Sequence, residues 1–82
     1  MKREDMKTTR YFEHLRNRPD RAMIQDQWIL DVIAHPAKTE VQSDGRFRHW
    51  GYIAEVNKHL RVIVLEDGET VHNAFFDRNY KG

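Results

Sequence analysis

The spacing of apolar residues changes along this 82-residue chain, from a helical period in the first half to an alternating one in the second. The helical stripe comprises Ile24, Trp28, Ile29, Val32 and Ile33. Residues spaced in this way share one face of an α-helix. Gln25 or Asp26 begins this helix, and His35-Pro36 ends it, because the residue before a proline is pushed away from helical angles.

A shorter helix precedes this one. Glu13 to Arg18 favours a helix, and Pro19-Asp20 ends it for the same reason. Thr8 to Phe12 contains two β-branched and two aromatic residues, which favours either a short strand or the beginning of the helix. Residues 1–7 are mostly polar and are expected to form a flexible N-terminus.

Four strands follow, separated by short turns. The predicted strands are Thr39 to Gln42, Arg46 to Glu55, Leu60 to Leu65 and Thr70 to Phe76. The predicted turns are Ser43-Asp44-Gly45, Asn57-Lys58-His59 and Glu66-Asp67-Gly68-Glu69. Turns of this length join neighbouring antiparallel strands, so the strands should form a four-stranded antiparallel meander.

Helices that precede a meander must cover one of its faces. The sequence therefore predicts an α+β fold in a single domain over residues 8–82, with two N-terminal helices on the meander and a short strand as an optional first element. The helical stripe should pack on alternate strand residues. These are Leu60, Val62, Val64, Val71 and Phe75.

Composition excludes several classes of protein. The chain has 33% charged residues, a net charge of +1 and no cysteine. A chain without cysteine has no disulfide, zinc ribbon, Fe–S cluster or thiol nucleophile, which fits a cytoplasmic location. No apolar run approaches the roughly 18 residues of a membrane span, and so small a core leaves no room for an enclosed cofactor. Neither a membrane nor a cofactor is therefore expected.

The net charge hides an alternation along the chain. Basic side chains outnumber acidic ones by seven to four in residues 1–25 and by four to one in residues 46–65. Acidic side chains outnumber basic ones by four to one in residues 26–45 and by four to two in residues 66–82. The basic blocks form either a solvated surface with internal ion pairs or a patch for a polyanion. Near-neutrality limits the strength of nucleic-acid binding without excluding a local basic face.

The long strand places two arginines and two aromatic residues on one side of the sheet, because successive side chains of a strand point to opposite faces. If that side faces away from the helices, arginines would hold phosphates and rings would stack on bases. The predicted RNA-binding residues are Arg46, Arg48, Trp50, Tyr52, Arg61 and Arg78. Alternatively, Trp50 and Tyr52 are core residues and the arginines protect a strand edge. Both assignments stay open, because Phe47 and Ile53 on the other side are apolar too.

Two of the five histidines are candidates for proton transfer. His14 has Arg18 one turn further along the predicted helix, and His72 lies near Asp77-Arg78. The candidate catalytic residues are therefore His14, Arg18 and His72, and the alternative is that each histidine is a hydrogen-bonded structural residue. No two histidines have i, i+4 or His-x-His spacing, so no metal site is expected.

Three short motifs match those of a known family. His14 and Arg18 form an H-x-x-x-R pattern that Ile24 follows. Ala34-His35-Pro36 matches a helix that ends in an Asn/His-Pro step, and Leu60 to Val64 matches a valine-rich strand. In these motifs the chain resembles a family of short bacterial proteins related to the BrnT and RelE toxins.

The resemblance covers roughly Thr8 to Phe76 and implies a RelE/BrnT toxin-like fold. Toxins of the RelE type are ribonucleases that cleave messenger RNA with basic and polar side chains, and an antitoxin holds them inactive. The positions that the resemblance implicates are His14, Arg18, Arg46, Arg48 and His72. The chain departs from BrnT proteins near its C-terminus, where Asn73 to Arg78 replaces an I-S-A-R-like segment.

The sequence thus predicts a small bacterial, toxin-like protein that binds RNA or acts as a metal-independent ribonuclease, with RNA and an antitoxin as partners. The alternative is a non-catalytic module for protein–protein interaction or homodimerisation, because the chain carries more large aromatic rings than so small a core easily encloses. These rings are Trp28, Trp50, Tyr52, Phe75 and Phe76.

Overall fold

The computed structural model of this chain describes residues 6–80 and contains three helices and a four-stranded sheet. The helices are α1 (Arg10–Leu15), α2 (Pro19–Ala22) and α3 (Asp26–Ala34). The strands are β1 (Lys38–Val41), β2 (Phe47–Ile53), β3 (Lys58–Val64) and β4 (Val71–Phe76). The predicted α+β class is confirmed. None of the helices within residues 6–80 is long and apolar enough to cross a membrane.

α1 begins and ends earlier than predicted. Thr9 is its N-cap residue, and the hydroxyl oxygen accepts a hydrogen bond from the backbone N–H of Phe12 at 3.1 Å. A threonine in this position satisfies one of the N–H groups that a helix leaves unpaired at its start. Thr8 makes one parallel β-bridge with Val71. The segment from Thr8 to Phe12, for which the sequence allowed a strand or a helix, therefore contains a single bridge residue followed by the start of α1.

Pro19 begins a helix instead of ending one. α2 is a single turn in which Pro19 occupies one of the first two positions, after Arg18 in an extended conformation. Proline suits the start of a helix, because its missing N–H would be unpaired there and its φ is already helical. The prediction of two helices omitted α2 because the proline was interpreted only as a stop signal.

α3 has the expected bounds and orientation. It starts at Asp26, and the residues Trp28, Ile29 and Val32 of the stripe are buried. Arg16, directly after α1, forms an ion pair with Asp26 in the first turn of α3. This pair connects the end of one helix with the beginning of the other.

The sheet is the expected antiparallel meander, with strand order β1-β2-β3-β4. The turn between β2 and β3 differs from the prediction, since it occupies Ala54 to Asn57 and β2 already ends at Ile53. Asn57 has a φ of 53°, which asparagine tolerates better than most residues. The turn therefore ends, rather than begins, at this asparagine.

β4 contains an extra residue relative to β3. Val71 pairs with Val64 and Asn73 pairs with Ile63, which leaves His72 without a partner in the register. An extra residue of this kind is a β-bulge, and it shifts the alternation of side chains between the two faces.

The bulge decides which residues of β4 contact the helices. Val71 and Ala74 are buried in the core, and Phe76 packs against it. Phe75 lies on the opposite face, where its ring contacts Arg61. The prediction that Phe75 packs on the helical stripe is therefore wrong, because strict alternation from Val71 does not continue through the bulge.

The main core lies between the helices and the sheet. α3 packs on β2 and β3, and α1 packs on β4. The largest fully buried side chains are Ile29, Leu60, Val62, Val64 and Val71. Four of the five strand residues expected against the helices are therefore in the main core.

The first described residues lie against the sheet. Met6 packs against the core, and the carbonyl of Lys7 accepts a hydrogen bond from the N–H of Val71 at 2.8 Å. Residues 1–5, which make up most of the predicted flexible N-terminus, lie outside the described residues.

Gly51 allows α3 to approach the sheet closely. A Cβ atom at this position would lie 2.8 Å from Cγ2 of Val32, a buried β-branched side chain that has little freedom to turn aside. Gly51→Ala should therefore lower the free energy of unfolding by about 1–3 kcal/mol in urea denaturation. Gly68→Asn is the control, because the space around Gly68 is open and asparagine tolerates its φ of 78°. Equal stabilities of the two variants would contradict the close packing.

Candidate functional site

The helices cover one face of the sheet, and the other face, called the open face below, carries the predicted arginines and aromatic residues. In β2, Phe47 and Ile53 belong to the helix side. Arg48, Trp50 and Tyr52 alternate with them and therefore lie on the open face. The side of the sheet that the sequence left undecided is thus assigned.

A row of alternating cationic and aromatic side chains crosses the open face. The register places Lys38, Trp50, Arg61 and Phe75 side by side, one from each strand. Lys38 Nζ and Arg61 Cζ lie 5.5 and 5.4 Å from the Trp50 ring centroid. Arg61 and Arg21 lie 5.2 and 5.4 Å from the centroid of Phe75. Each such contact contributes about 0.5–1 kcal/mol, so this cation–aromatic row stabilises the sheet on the side without helices.

The C-terminal segment after β4 covers the middle of the row. Asp77 Oδ2 accepts a hydrogen bond from Trp50 Nε1 at 2.9 Å and lies 3.7 Å from Arg61 Nη1. The ring centroid of Tyr80 is 5.9 Å from that of Trp50 and 4.2 Å from that of His59. Trp50 is consequently only 6% exposed, which agrees with the alternative that made it a core residue.

A groove of about 400 Å³ opens on the open face beside the cation–aromatic row, and Arg61 and Phe75 of the row line it. It is lined by Tyr11, Gln42, Arg46, Arg61, Ile63, His72, Asn73 and Phe75. These residues come from α1, from the turn between β1 and β2, and from β3 and β4. The groove therefore brings together three of the predicted site residues, Arg46, Arg61 and His72.

His72 is held in a fixed position at this groove. A hydrogen bond of 3.0 Å joins its Nδ1 to Thr9 Oγ1, and the ring of Tyr11 stacks on it with centroids 4.9 Å apart. Burial lowers the pKa of His72, the Arg46 guanidinium lowers it further, and Asp44 opposes them. The lowered pKa favours the neutral imidazole, which is the form that can accept a proton.

The other two catalytic candidates lie outside the groove. His14 is exposed on α1 and lines a separate depression beside Asn17. The side chain of Arg18 is exposed and lies 3.6 Å from Asp20. Their spacing would place them on one face of a continuous helix, but α1 ends at Leu15 and Arg18 precedes α2. The structure does not bring His14 and Arg18 together with His72.

The remaining predicted RNA-binding residues are spread over the surface. Arg48 lies 3.4 Å from Glu40 of β1. Tyr52 is 52% exposed, and its hydroxyl donates a hydrogen bond to Asn57. Arg78 is exposed and lines a second depression, which the C-terminal segment helps to form. These residues surround the cation–aromatic row without lining the groove.

Five groove residues were not among the predicted site residues: Tyr11, Gln42, Ile63, Asn73 and Phe75. Tyr11 could have been found from the threonine cap, which fixes the start of α1 and so the direction of its side chains. Asn73 faces the groove only because of the bulge, and regular alternation would have turned it toward the helices. No pattern in the sequence distinguishes Gln42.

Within residues 6–80, no group of three or more His, Cys, Asp or Glu side chains could hold a metal ion. Comparison of the chain with protein-family models, with curated proteins and with solved structures finds no match. The resemblance to the BrnT and RelE toxins therefore stays a prediction from the short motifs.

The attachment of the C-terminal segment should depend on pH. The hydrogen bond from Trp50 holds the pKa of Asp77 below its ordinary range, burial opposes this shift, and Arg61 is among the groups that reinforce it. Because the pKa is lower in the folded state, the carboxylate stabilises the fold above the ordinary carboxyl pKa. That contribution is lost as the pH falls through the lowered value.

Asp77→Asn should lower the free energy of unfolding at pH 7 by about 1 kcal/mol, as expected for a charged hydrogen bond screened by solvent. The difference from the wild type should shrink as the pH falls below the ordinary carboxyl pKa and through the lowered pKa of Asp77. Urea titrations followed by tryptophan fluorescence measure both effects. Asp20→Asn, at an exposed carboxylate, is the control, and a difference independent of pH would contradict the role of Asp77.

Proposed function

We propose that this chain binds single-stranded RNA in the open-face groove. The observation that carries the proposal is the convergence of Arg46, Arg61 and His72 beside Gln42 and Asn73. Guanidinium groups bind phosphate oxygens in bidentate geometry. Amide and imidazole groups supply hydrogen bonds to ribose hydroxyls and base edges. A groove with this lining suits a phosphodiester and its neighbouring ribose.

Two exposed tyrosines on this side of the protein supply surfaces for base stacking. Tyr11 is 52% exposed at the groove and already stacks on His72, and Tyr52 is equally exposed further along the sheet. Stacking on an aromatic ring contributes about 1–3 kcal/mol per base and requires unpaired bases, which favours a single strand. Trp50, also expected to stack, is covered by Tyr80 and has no part in the proposal.

Arg46→Ala should weaken binding of a labelled single-stranded RNA of about 12 nucleotides, a length within the range of known single-strand sites. The expected loss is about 1 kcal/mol, or roughly fivefold in Kd, from one phosphate contact. The slope of log K against log salt concentration should fall by about 0.7. Fluorescence anisotropy across a salt series measures both quantities.

Arg18→Ala is the matched control, because it removes the same charge from an exposed position outside the groove. It should change RNA affinity less than Arg46→Ala does. Absence of wild-type binding at low salt, or equal losses in the two variants, would sink the proposal.

We also infer that His72 can act as the base in metal-independent cleavage of the bound RNA. In the tautomer whose Nδ1–H donates to Thr9 Oγ1, Nε2 carries the lone pair that accepts the proton. The 2′ oxygen attacks the adjacent phosphorus as Nε2 takes its proton, the bond to the 5′ oxygen breaks, and water protonates that oxygen. Arg46 and Arg61 stabilise the charge of the phosphorane.

His72→Ala should reduce cleavage by about 100-fold or more and change RNA affinity less than Arg46→Ala does. Gel analysis should detect products with a 2′,3′-cyclic phosphate. The rate should rise with pH to a plateau, with its midpoint below the ordinary histidine pKa because the pKa of His72 is lowered. Expression of the wild type should slow bacterial growth, and His72→Ala should relieve this effect. Undiminished cleavage by the variant would contradict the role of His72. A wild type that binds RNA without cleaving it would contradict the inference of cleavage and leave the proposal of RNA binding standing.

A toxin-like role in the bacterial cytoplasm belongs to the same proposal. Its support is the order of elements, with helices before an antiparallel meander, together with the motifs of residues 14–24, 34–36 and 60–64. A small antitoxin protein is then the expected partner. Such a partner would block activity by covering the open face.

A further inference from the structure

β1 forms an edge of the sheet, and its outer side has no strand partner within residues 6–80. The opposite edge differs, because the segment before α1 runs along β4. There, Thr9 N–H donates to the carbonyl of Val71, and Val71 N–H donates to the carbonyl of Lys7. All residues of β1 are exposed. An unpaired strand edge offers its backbone donors and acceptors to another strand.

The backbone groups of Thr39 and Val41 point away from β2. In the ladder between β1 and β2, the N–H of Gln42 donates to the carbonyl of Arg46. Hydrogen-bonded pairs alternate with unbonded pairs along an antiparallel ladder, so Glu40 also directs its backbone groups toward β2. The N–H and C=O groups at the free edge therefore belong to Val41, which lies between Glu40 and Gln42, and to Thr39, which precedes Glu40.

The side chains of β1 divide between the two faces of the sheet. Lys38 and Glu40 lie on the open face, where Lys38 contacts the ring of Trp50. Thr39 and Val41 lie on the other face. Val41 is 66% exposed there, because α3 packs on β2 and β3 rather than on β1. Lys38 Nζ lies 3.4 Å from Glu40 Oε2, so the edge carries an ion pair on one side and an uncovered apolar residue on the other.

One two-fold register of two antiparallel β1 strands pairs opposite charges. With Thr39 opposite Thr39 of a second copy, each Lys38 faces Glu40 of the other copy. Ala37, the residue opposite Val41, precedes β1 and already donates its N–H to the carbonyl of Trp50 at 2.7 Å, so the pairing rests on residues 38–40. A register centred on Glu40 would place two carboxylates opposite each other, and one centred on Lys38 would do the same with two ammonium groups. In the register centred on Thr39, the two Thr39 residues form a hydrogen-bonded pair, because their backbone groups point outward from each sheet.

We propose that two copies of this chain associate through β1, antiparallel and around a two-fold axis at Thr39, to form one continuous sheet. The axis is perpendicular to the sheet, so the open faces of both copies lie on the same side. Association through β1 leaves both grooves free and needs no RNA. The dimer can therefore be tested separately from the proposed function.

Charge reversal at the paired positions tests this register. Lys38→Glu alone places carboxylates opposite each other in the dimer, and Glu40→Lys alone does the same with ammonium groups. Each variant should associate at least about tenfold more weakly than the wild type in sedimentation equilibrium at low ionic strength. An equimolar mixture of the two variants should restore association, because every pair of positions 38 and 40 then joins opposite charges.

Glu55→Lys is the control, since it makes the same charge change as Glu40→Lys in an exposed turn outside β1. It should associate like the wild type, and circular dichroism should show that all variants are folded. A wild type that is monomeric up to about 1 mM would overturn the proposal, and β1 would then be a protected edge or a site for a different chain. Variants that associate as well as the wild type, or a mixture that does not associate, would overturn it too.

Discussion

The extra residue in β4 is the constraint on which the open-face groove depends. Regular alternation from Val71 would turn Asn73 toward the helices and Ala74 toward the open face. Because of the bulge, His72 and Asn73 both line the groove, and Ala74 returns to the core. Thr9, in the segment beside β4, holds the bulge in place. Its N–H donates a hydrogen bond to the carbonyl of Val71, and its hydroxyl group is hydrogen-bonded to the imidazole of His72. The bulge thus places two polar side chains in succession on one face, which regular pleating would not do.

The open face is divided between a structural half and the groove, and Arg61 belongs to both. Its guanidinium lies between the rings of Trp50 and Phe75 and near Asp77, and the side chain also lines the groove. Contacts with both rings restrict the motion of the guanidinium group, which lowers the entropy that is lost when a phosphate binds. The same restriction means that substitution of Arg61 would alter folding and binding together. Arg46 lies at the rim of the groove and outside the cation–aromatic row, so substitution of Arg46 tests binding separately from folding.

The sequence was informative where alternation is regular and misleading where it is interrupted. Alternation correctly placed Arg48, Trp50 and Tyr52 of β2 on one face, because no bulge breaks that strand. It misplaced Phe75, which follows the bulge of β4. Pro19 was interpreted as the end of a helix although it begins α2, and this error made Arg18 look like part of a catalytic helix. The burial of Trp50 depends on Asp77 and Tyr80 of the segment after β4, which no local pattern could indicate.

Three of the predicted RNA-binding arginines each have a carboxylate close by, and this pairing sets the scale of any RNA affinity. The pairs are Arg46–Asp44, Arg48–Glu40 and Arg61–Asp77, at 3.6, 3.4 and 3.7 Å. Arg46–Asp44 and Arg48–Glu40 are more exposed than Arg61–Asp77, and exposed pairs contribute only about 0–1 kcal/mol, so a phosphate can bind beside these two or displace them at small cost. The carboxylates nevertheless weaken the long-range attraction for a polyanion, in keeping with the net charge of +1. Electrostatics alone would therefore bind RNA weakly, and stacking on Tyr11 must supply a large share of the affinity.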